Sequence, residues 1–380
     1  MKIHFNPRAP GAAPGHIRDT VDASAGRELQ RILARCPAYK PTPLLSLEAM
    51  ALQAGVASIH YKDESQRFAL RSFKALGGSY AVARVLHRLH WPALAGFDPS
   101  LLLAPAARAM AAQWTVACAT DGNHGRAVAA GARLFGCACV VFLHAGVSAA
   151  REAAIAALGA RIVRVRGDYD ESVRAAHGAA MAHGWTVVSD TSYQGYDEIP
   201  RWVMEGYTVM LAEVADQSAA PVTHVFVQAG VGGLAAAVGA WYWQQLGEYR
   251  PVLVVVEPAG ADCLYQSARA GGARQASAPV ETMLAGLACG AVSSLAWDVL
   301  REAADAFMLI DDAQALRLMW PLAMQGIEAG ESATAGLAGL LAVAADRASA
   351  ARLGLSASSR VLVIGTEGAT DPELYRHLIS

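Results

Sequence analysis

The strongest constraint on the fold is a regular alternation of short apolar runs with longer alanine-rich stretches. The runs "WTVACA", "CVVFLH", "RIVRVR" and "WTVVS" are separated by stretches with helical spacing, such as "GNHGRAVAAGARLFG" and "YDESVRAAHGAAMAHG". Apolar runs of about four to eight residues fit buried strands, and their alternation with helices is typical of parallel strands joined by crossover helices. The sequence therefore predicts an α/β protein with mostly parallel sheets covered on both faces.

A second series of the same kind follows toward the carboxyl end. After a helix expected at 199–215 come the strand "THVFVQA", the helix Leu234–Gln244, the strand "VLVVVEP", helices through Ala333–Ala345 and the strand "RVLVIG". A chain of 380 residues exceeds the roughly 250–300 at which one core stops growing. We therefore expect two three-layer α/β domains, a large one of 1–75 plus 195–380 and a small inserted one of 76–194. The aperiodic stretch 91–113 is expected to be a connecting segment.

Charge and cysteine content exclude several classes of partner. Lys plus Arg is 31 and Asp plus Glu is 33, with no basic stripe, so neither nucleic acid nor a membrane surface is expected. The start lacks an apolar signal core, which favours a cytoplasmic protein. The six cysteines lack the spacing of a metal site, and no metal is expected. A pairing of Cys263 with Cys289 stays open, although disulfides are uncommon in the cytosol.

Glycines dominate one strand-to-helix junction, "VFVQAGVGGLAAAV". Gly230, Gly232 and Gly233 let backbone N–H groups approach an anion, and the following helix start adds unpaired donors. The spacing matches neither a P-loop nor a dinucleotide fingerprint. The junction is either a phosphate-binding loop or a glycine turn chosen for close packing.

Small polar residues fill a second junction, "ACATDGNHGRAVAAGA". Thr120 or Asp121 can cap the helix that follows. Five polar or glycine positions in a row exceed what a cap needs, so the loop can equally hold a carboxylate on its backbone N–H groups.

A lysine and an acid mark the two remaining junctions. Lys74 lies near a helix start, where the dipole disfavours an ammonium and favours a neutral, nucleophilic amine. Asp190 ends a strand before a loop with two tyrosines. Taken singly, Lys74 reads as a solvated charge and Asp190 as a turn former. Taken together, a phosphate loop, a carboxylate loop, an imine-forming lysine and two acids fit one cofactor, pyridoxal 5'-phosphate.

The motifs carry a family resemblance. "RSFKALGGSYAV", "TDGNHGRAVA", "DTSYQGYDEIPRWVMEGY", "QAGVGGL", "AGESATAGLAGL" and "GTEGATD" resemble the diaminopropionate ammonia-lyase family of fold type II pyridoxal phosphate enzymes. The resemblance implies that Lys74 carries the cofactor as an imine. The cofactor-binding residues that it implies are Phe73, Lys74, Asn123, Gly230, Val231, Gly232, Gly233, Leu234 and Thr366. Thr366 would face the ring nitrogen, and Asn123 the 3-oxygen.

The resemblance also implies a substrate site and a reaction. The residues for the substrate carboxylate would be Thr120, Gly122, Asn123 and His124. Asp121 would take the Cα proton of the D-substrate and Asp190 that of the L-substrate. Elimination from 2,3-diaminopropionate would give pyruvate and two ammonia, in a homodimeric enzyme.

Two alternatives remain open at this point. One is a dehydratase or lyase of the same fold acting on serine, threonine, 3-hydroxyaspartate or another β-substituted amino acid. The other is a non-catalytic pyridoxal phosphate binder. Two departures from the expected family pattern, Ala369 in place of an acid and "LACGAVSSLAW" without Glu-Pro, concern the substrate more than the reaction type.

Overall fold

The computed structural model describes residues 1–7, 9–36, 38–92 and 96–380, and its packing divides the chain into two compact units. Unit 1 comprises Met1–Phe73, Thr191–Gln194 and Tyr207–Ser380. Unit 2 comprises Lys74–Asp190 and Gly195–Gly206. The domain boundaries expected from the sequence stay a prediction, because packing contacts do not show which segments fold independently.

Unit 1 is built on a seven-stranded sheet. Its strands are β1 (Lys2–Phe5), β2 (Leu44–Ser46), β3 (Ser58–Asp63), β8 (His224–Gln228), β9 (Val252–Pro258), β10 (Ala306–Ile310) and β11 (Arg360–Gly365). The order is β1-β10-β9-β8-β11-β3-β2, with only the outer pairs β1/β10 and β2/β3 antiparallel. The central strands are continuous apolar runs because both of their faces are buried.

Helices surround this sheet. They are α1 (Gly15–Thr20), α2 (Ser24–Leu33), α3 (Glu48–Ala54), α10 (Gly233–Leu246), α11 (Cys263–Ala270), α12 (Ser294–Ala303), α13 (Asp312–Leu316), α14 (Met319–Ala323), α15 (Ala335–Ala345), α16 (Arg347–Leu353) and α17 (Pro372–Ile379). Helix α15 is apolar almost all round and lies against β8, β9 and β10. The core joins Phe226, Val254 and Met308 of the sheet to Leu337 and Leu340 of that helix.

A charged cluster is buried beside this core. Lys62, Glu64, Arg67 and Glu213 all have side chains with 0% exposure. Arg67 lies 2.8 Å from Glu64 and 2.7 Å from Glu213, and Lys62 Nζ lies 2.7 Å from Glu213 Oε2. Two positive and two negative groups therefore neutralise each other away from water.

Unit 2 is a smaller parallel sheet in the order β6-β5-β4-β7. Its strands are β4 (Thr115–Ala119), β5 (Ala138–Leu143), β6 (Arg161–Arg164) and β7 (Thr186–Val187), and its helices are α4 (Lys74–His90), α5 (Pro105–Ala111), α6 (Asn123–Phe135), α7 (Ala149–Ala156) and α8 (Tyr169–His183). Helix α9 (Glu198–Gln217) begins in this unit and continues into unit 1.

Helices α4 and α6 approach closely through glycines. A Cβ on Gly78 would lie 2.6 Å from the Cβ of Ala127, and one on Gly131 would lie 2.9 Å from the Cα of Ser79. Such separations are shorter than van der Waals contact, so this pair of helices requires glycine at both positions.

The α/β class and the parallel sheets predicted from the sequence are confirmed, while several elements differ. The stretch expected to be wholly helical before Ala345 contains strand β10, and strands β1 and β2 were not expected. The run "WTVVS" contributes only Thr186–Val187 to a strand. The stretch expected to be a plain connection at 91–113 contains α5, and its residues 93–95 lie outside the described residues.

Cysteine, metal and membrane features complete the description. Cys263 and Cys289 do not form a disulfide in the structure, so the pairing left open by the sequence is absent. Among the described residues no group of three or more His, Cys, Asp or Glu could hold a metal ion. Nor does any helix within them have the length and apolarity to cross a membrane.

Candidate active site

Lys74 and Asp190 are in contact in unit 2. Lys74 is the first residue of α4, and its Nζ donates to Asp190 Oδ2. The two side chains are 21% and 12% exposed. Burial raises the pKa of Asp190, but Lys74 and His124 outweigh it and hold the pKa of this carboxyl well below its usual range. Lys74 is thus paired with an acid rather than solvated.

The imidazole of His124 also lies near Asp190. His124 is 5% exposed, and its Nε2 lies 2.8 Å from the carbonyl oxygen of Val188. A carbonyl only accepts, so Nε2 carries a proton. Nδ1 has no hydrogen-bond partner among the described residues and lies 3.8 Å from Asp190 Oδ2. Burial lowers the pKa of His124, Asp190 opposes this, and Lys74 lowers it further, so the ring is neutral at neutral pH.

Asp121 has its own histidine. His144 Nε2 lies 2.7 Å from Asp121 Oδ1, and the backbone N–H of Gly146 donates to His144 Nδ1 at 3.2 Å. Asp121 follows β4, and His144 follows the neighbouring parallel strand β5. His144 was not identified from the sequence, although its place at the carboxyl end of a strand was a usable signal.

The loop from Thr120 to Asn123 combines the two interpretations that the sequence left open. Thr120 Oγ1 accepts the backbone N–H groups of Gly122 and Gly125, each at 3.0 Å, which is a capping role. Its hydroxyl hydrogen remains available to a ligand. Helix α6 begins at Asn123, and first-turn N–H groups have no partner inside a helix. The loop can therefore cap α6 and still present donors to a carboxylate.

The glycine loop lies in unit 1, between β8 and α10. Gly232 has φ +99°, and a Cβ there would lie 3.1 Å from the Cβ of Ala296. A Cβ on Gly230 would lie 2.7 Å from Cys289 Sγ. Close packing therefore requires these glycines, as one interpretation held. The same turn places the N-terminus of the 14-residue helix α10 at its end, as a phosphate site requires.

Phe73, Thr366 and Gln228 form the second functional group of unit 1. The N–H of Phe73 donates to the Thr366 carbonyl at 3.1 Å. Gln228 Nε2 lies 3.1 Å from Thr366 Oγ1 and also contacts the carbonyls of Ser332 and Ile364. These carbonyls fix the orientation of the amide, and an amide nitrogen cannot accept. The Thr366 hydroxyl thus keeps its hydrogen for another acceptor. Gln228 also went unidentified, although it is the polar end of the apolar run "HVFVQ".

The donor set of the chain fits pyridoxal phosphate. A partly buried lysine can form an imine, a glycine loop at a helix start can take a phosphate, and a hydroxyl that must donate can face an unprotonated ring nitrogen. A family model described as pyridoxal-phosphate dependent enzyme matches residues 36–367. The chain belongs to this family, and the predicted cofactor is confirmed.

Within the family, the chain is similar to diaminopropionate ammonia-lyases. It is 35% identical to the enzyme of Salmonella typhimurium strain LT2, over 100% of this chain and 98% of that one. Two crystal structures of the Escherichia coli diaminopropionate ammonia-lyase each match 100% of this chain and 96% of theirs at 34% identity. The complex with D-serine has a TM-score of 0.87, and that with an aminoacrylate-PLP azomethine reaction intermediate has 0.88. The resemblance predicted from the motifs is confirmed.

Proposed function

We propose that this protein eliminates ammonia from both enantiomers of 2,3-diaminopropionate. One substrate and one water give pyruvate and two ammonia. The observation that carries the proposal is that two separate acids, Asp190 and Asp121, each meet a histidine in the unit that also holds Lys74. An enzyme that treats one enantiomer needs only one such acid.

The cofactor site follows from the residues described above. Bound pyridoxal phosphate supplies an electron sink that acidifies the Cα–H bond of an attached amino acid. Lys74 would hold the cofactor covalently, and Phe73 would lie beside it. Asn123 would donate to the 3-oxygen. The phosphate would be bound by Gly230, Val231, Gly232, Gly233 and Leu234.

Thr366 sets the electronic demand at this site. Its hydroxyl would donate to the ring nitrogen. Thr366 Oγ1 already accepts a hydrogen bond from Gln228 Nε2, so its own hydrogen is left for another acceptor. A neutral ring is a weaker sink than a protonated one. That suits elimination, in which the Cα electrons leave through the β-carbon.

Substrate is held and deprotonated by residues of unit 2. The hydroxyl of Thr120 and the backbone N–H groups of Gly122, Asn123 and His124 bind its carboxylate. Asp190 takes the Cα proton from the L-enantiomer and Asp121 takes it from the D-enantiomer. Each acid is ionised before the step and neutral after it, and the proton moves from carbon to a carboxylate oxygen.

A substrate screen tests the proposal. Pyruvate is measured after incubation with D- and L-2,3-diaminopropionate, D- and L-serine, L-threonine and 3-hydroxyaspartate. We expect the highest kcat/KM with the two diaminopropionates. No pyruvate from either of them contradicts the proposal. D-serine is the second candidate substrate, because the Escherichia coli relative has been crystallised in complex with it.

Assembly and compartment are further parts of the proposal. The family resemblance supports a homodimer, which light scattering at several protein concentrations tests. The lack of a disulfide among the six cysteines supports a reducing, cytoplasmic compartment. Cell fractionation with an antibody tests the compartment.

A further inference from the structure

The histidines beside the two acids differ in what they can do. One can only donate a hydrogen bond to its acid, and the other can accept a proton from its acid. Both pairs lie within unit 2, and both rings carry one proton in the neutral state. The nitrogen that faces the acid is not the same one in the two pairs: it is Nε2 in His144 and Nδ1 in His124.

His144 can only donate to its acid. The Gly146 N–H occupies the lone pair of Nδ1, so in the neutral ring the proton is on Nε2, which faces Asp121 at 2.7 Å. Neither nitrogen of His144 can then take a proton from Asp121. The hydrogen bond holds one oxygen of Asp121 in place and leaves the other, Oδ2, for chemistry.

His124 has the reverse arrangement. Its Nε2–H donates to the Val188 carbonyl, so the neutral ring turns an unprotonated Nδ1 toward Asp190. The separation of 3.8 Å becomes a hydrogen bond after a shift of about 1 Å. An ionised Asp190 has no hydrogen to donate to Nδ1. A protonated Asp190 can donate its hydrogen to Nδ1.

We propose, on the basis of the proposed function, that His124 is the proton acceptor behind Asp190 and that His144 is the fixed donor to Asp121. On the L-side the proton moves from Cα to Asp190 and from its oxygen to His124 Nδ1, which restores the carboxylate and leaves an imidazolium. The proton leaves through Asp190 before the next turnover. On the D-side the proton stays on Asp121. Both histidines are positioning residues, since each acts through its acid.

Few charged groups bear on the His124 pair. Lys74 at the start of α4 and Asp190 are the charged groups that act on His124, and the Cys118 thiol of β4 also faces Asp190. Lys74 lowers the pKa of His124 and Asp190 raises it. Removal of either charge therefore moves the titration of this ring in a known direction.

Nuclear magnetic resonance can show which ring nitrogen of His124 carries the proton, and the measurement does not depend on enzyme activity. Full-length protein without cofactor is labelled with ¹⁵N-histidine, and His124→Gln identifies the signals of His124. We expect the Nε2–H tautomer at His124. We expect its pKa to rise in Lys74→Ala and to fall in Asp190→Asn. An Nδ1–H tautomer, or a titration that Asp190→Asn leaves unmoved, overturns the proposal.

Exchange of each histidine for glutamine tests, in the holoenzyme, whether it acts as a hydrogen-bond donor or as a proton acceptor. Glutamine can donate a hydrogen bond but is not a base. His144→Gln should therefore keep the ratio of L- to D-turnover within about twofold, while His144→Leu raises it by about tenfold or more because D-turnover falls. His124→Gln should lower the same ratio by about tenfold or more.

The outcomes separate this proposal from the function on which it rests. If His144→Gln and His124→Gln change the ratio of L- to D-turnover equally, His144 is not the donor and His124 is not the acceptor. If the parent protein makes no pyruvate from either diaminopropionate, the proposed function fails. The resonance measurements then still show whether the nitrogen that faces the acid is protonated in His144 and unprotonated in His124.

Discussion

At the scale of single residues, Asp190 and Asp121 present the same chemical group in different surroundings. Asp190 is 12% exposed and contacts a lysine, whereas Asp121 is 32% exposed and accepts from a histidine. A carboxylate that serves as a base loses this role when it becomes an amide, while the volume of the side chain hardly changes. Exchange of each acid for asparagine therefore isolates its proton transfer.

Asp190→Asn should lower turnover of L-2,3-diaminopropionate by about 10²–10⁴-fold and affect the D-enantiomer far less. Asp121→Asn should show the reverse preference, because we propose that each acid serves one face of the substrate. Pyruvate release measured with each pure enantiomer gives the four rates. Equal losses for both enantiomers in either variant would contradict the assignment of faces.

At the scale of elements, the turn before α10 depends on the left-handed backbone of Gly232. Alanine at φ +99° costs about 1–2 kcal/mol, and its Cβ would also crowd Ala296. We expect Gly232→Ala to weaken pyridoxal phosphate binding as well as stability. Gly271→Ala is the matched control, since Gly271 ends α11 at φ +68° with nothing within 4 Å. A similar loss of cofactor affinity in both variants would show backbone strain alone.

The contact between α4 and α6 gives a prediction about stability. Gly78→Ala places a methyl group 2.6 Å from Ala127 and should lower the free energy of unfolding by about 1–3 kcal/mol. Gly178 in α8 has open space around it, so Gly178→Ala should raise the same quantity by about 0.5–1 kcal/mol. Urea unfolding of the two variants measures both. A stable Gly78→Ala variant would mean that the two helices can separate without loss.

The sequence predicts elements well where the pattern is long and poorly where it is short. Helix α6 lies close to its expected position, because its helical period is sustained over 13 residues. Strand β10 was assigned to helices, since the five residues "AFMLI" stand between helical stretches and a short apolar run has no period of its own. Pairing with β9 makes it a strand, and that partner is distant in sequence.

The candidate site was predictable to a similar degree. Lys74, Asp121 and Asp190 stand at strand-to-helix junctions, where the rule for ligand sites in α/β sheets applies. His144 and Gln228 occupy comparable places but attract no notice in a single sequence. The direction in which each hydrogen bond runs depends on tertiary partners such as Gly146 and Val188, and no spacing encodes it.

At the scale of the whole molecule, the buried cluster around Glu213 should dominate the response to acid. Glu213→Gln leaves Arg67 and Lys62 without their shared partner and should cost about 3–5 kcal/mol. Asp216→Asn in the same helix is the control. Its pair with Arg27 is about half exposed, so we expect a loss of no more than about 1 kcal/mol. Equal losses in urea unfolding would show that burial does not set the value of these pairs.

The same cluster predicts how stability depends on pH. Burial raises the pKa of Glu213, but Arg67 and Lys62 outweigh it and hold the pKa below its usual value. Its contribution is therefore present above the pKa of an unfolded glutamate and is lost as the pH falls through the folded one. Unfolding at pH 7 and pH 4 should show a smaller drop in Glu213→Gln than in the parent.

The contact between Lys74 and Asp190 joins the first and last residues of the segment 74–190. A segment whose two ends meet can enter or leave a host chain without stretching either partner, which is the property that makes domain insertions and circular permutations tolerable. The ion pair thus holds the two ends of this segment together, as the small inserted domain expected from the sequence would require.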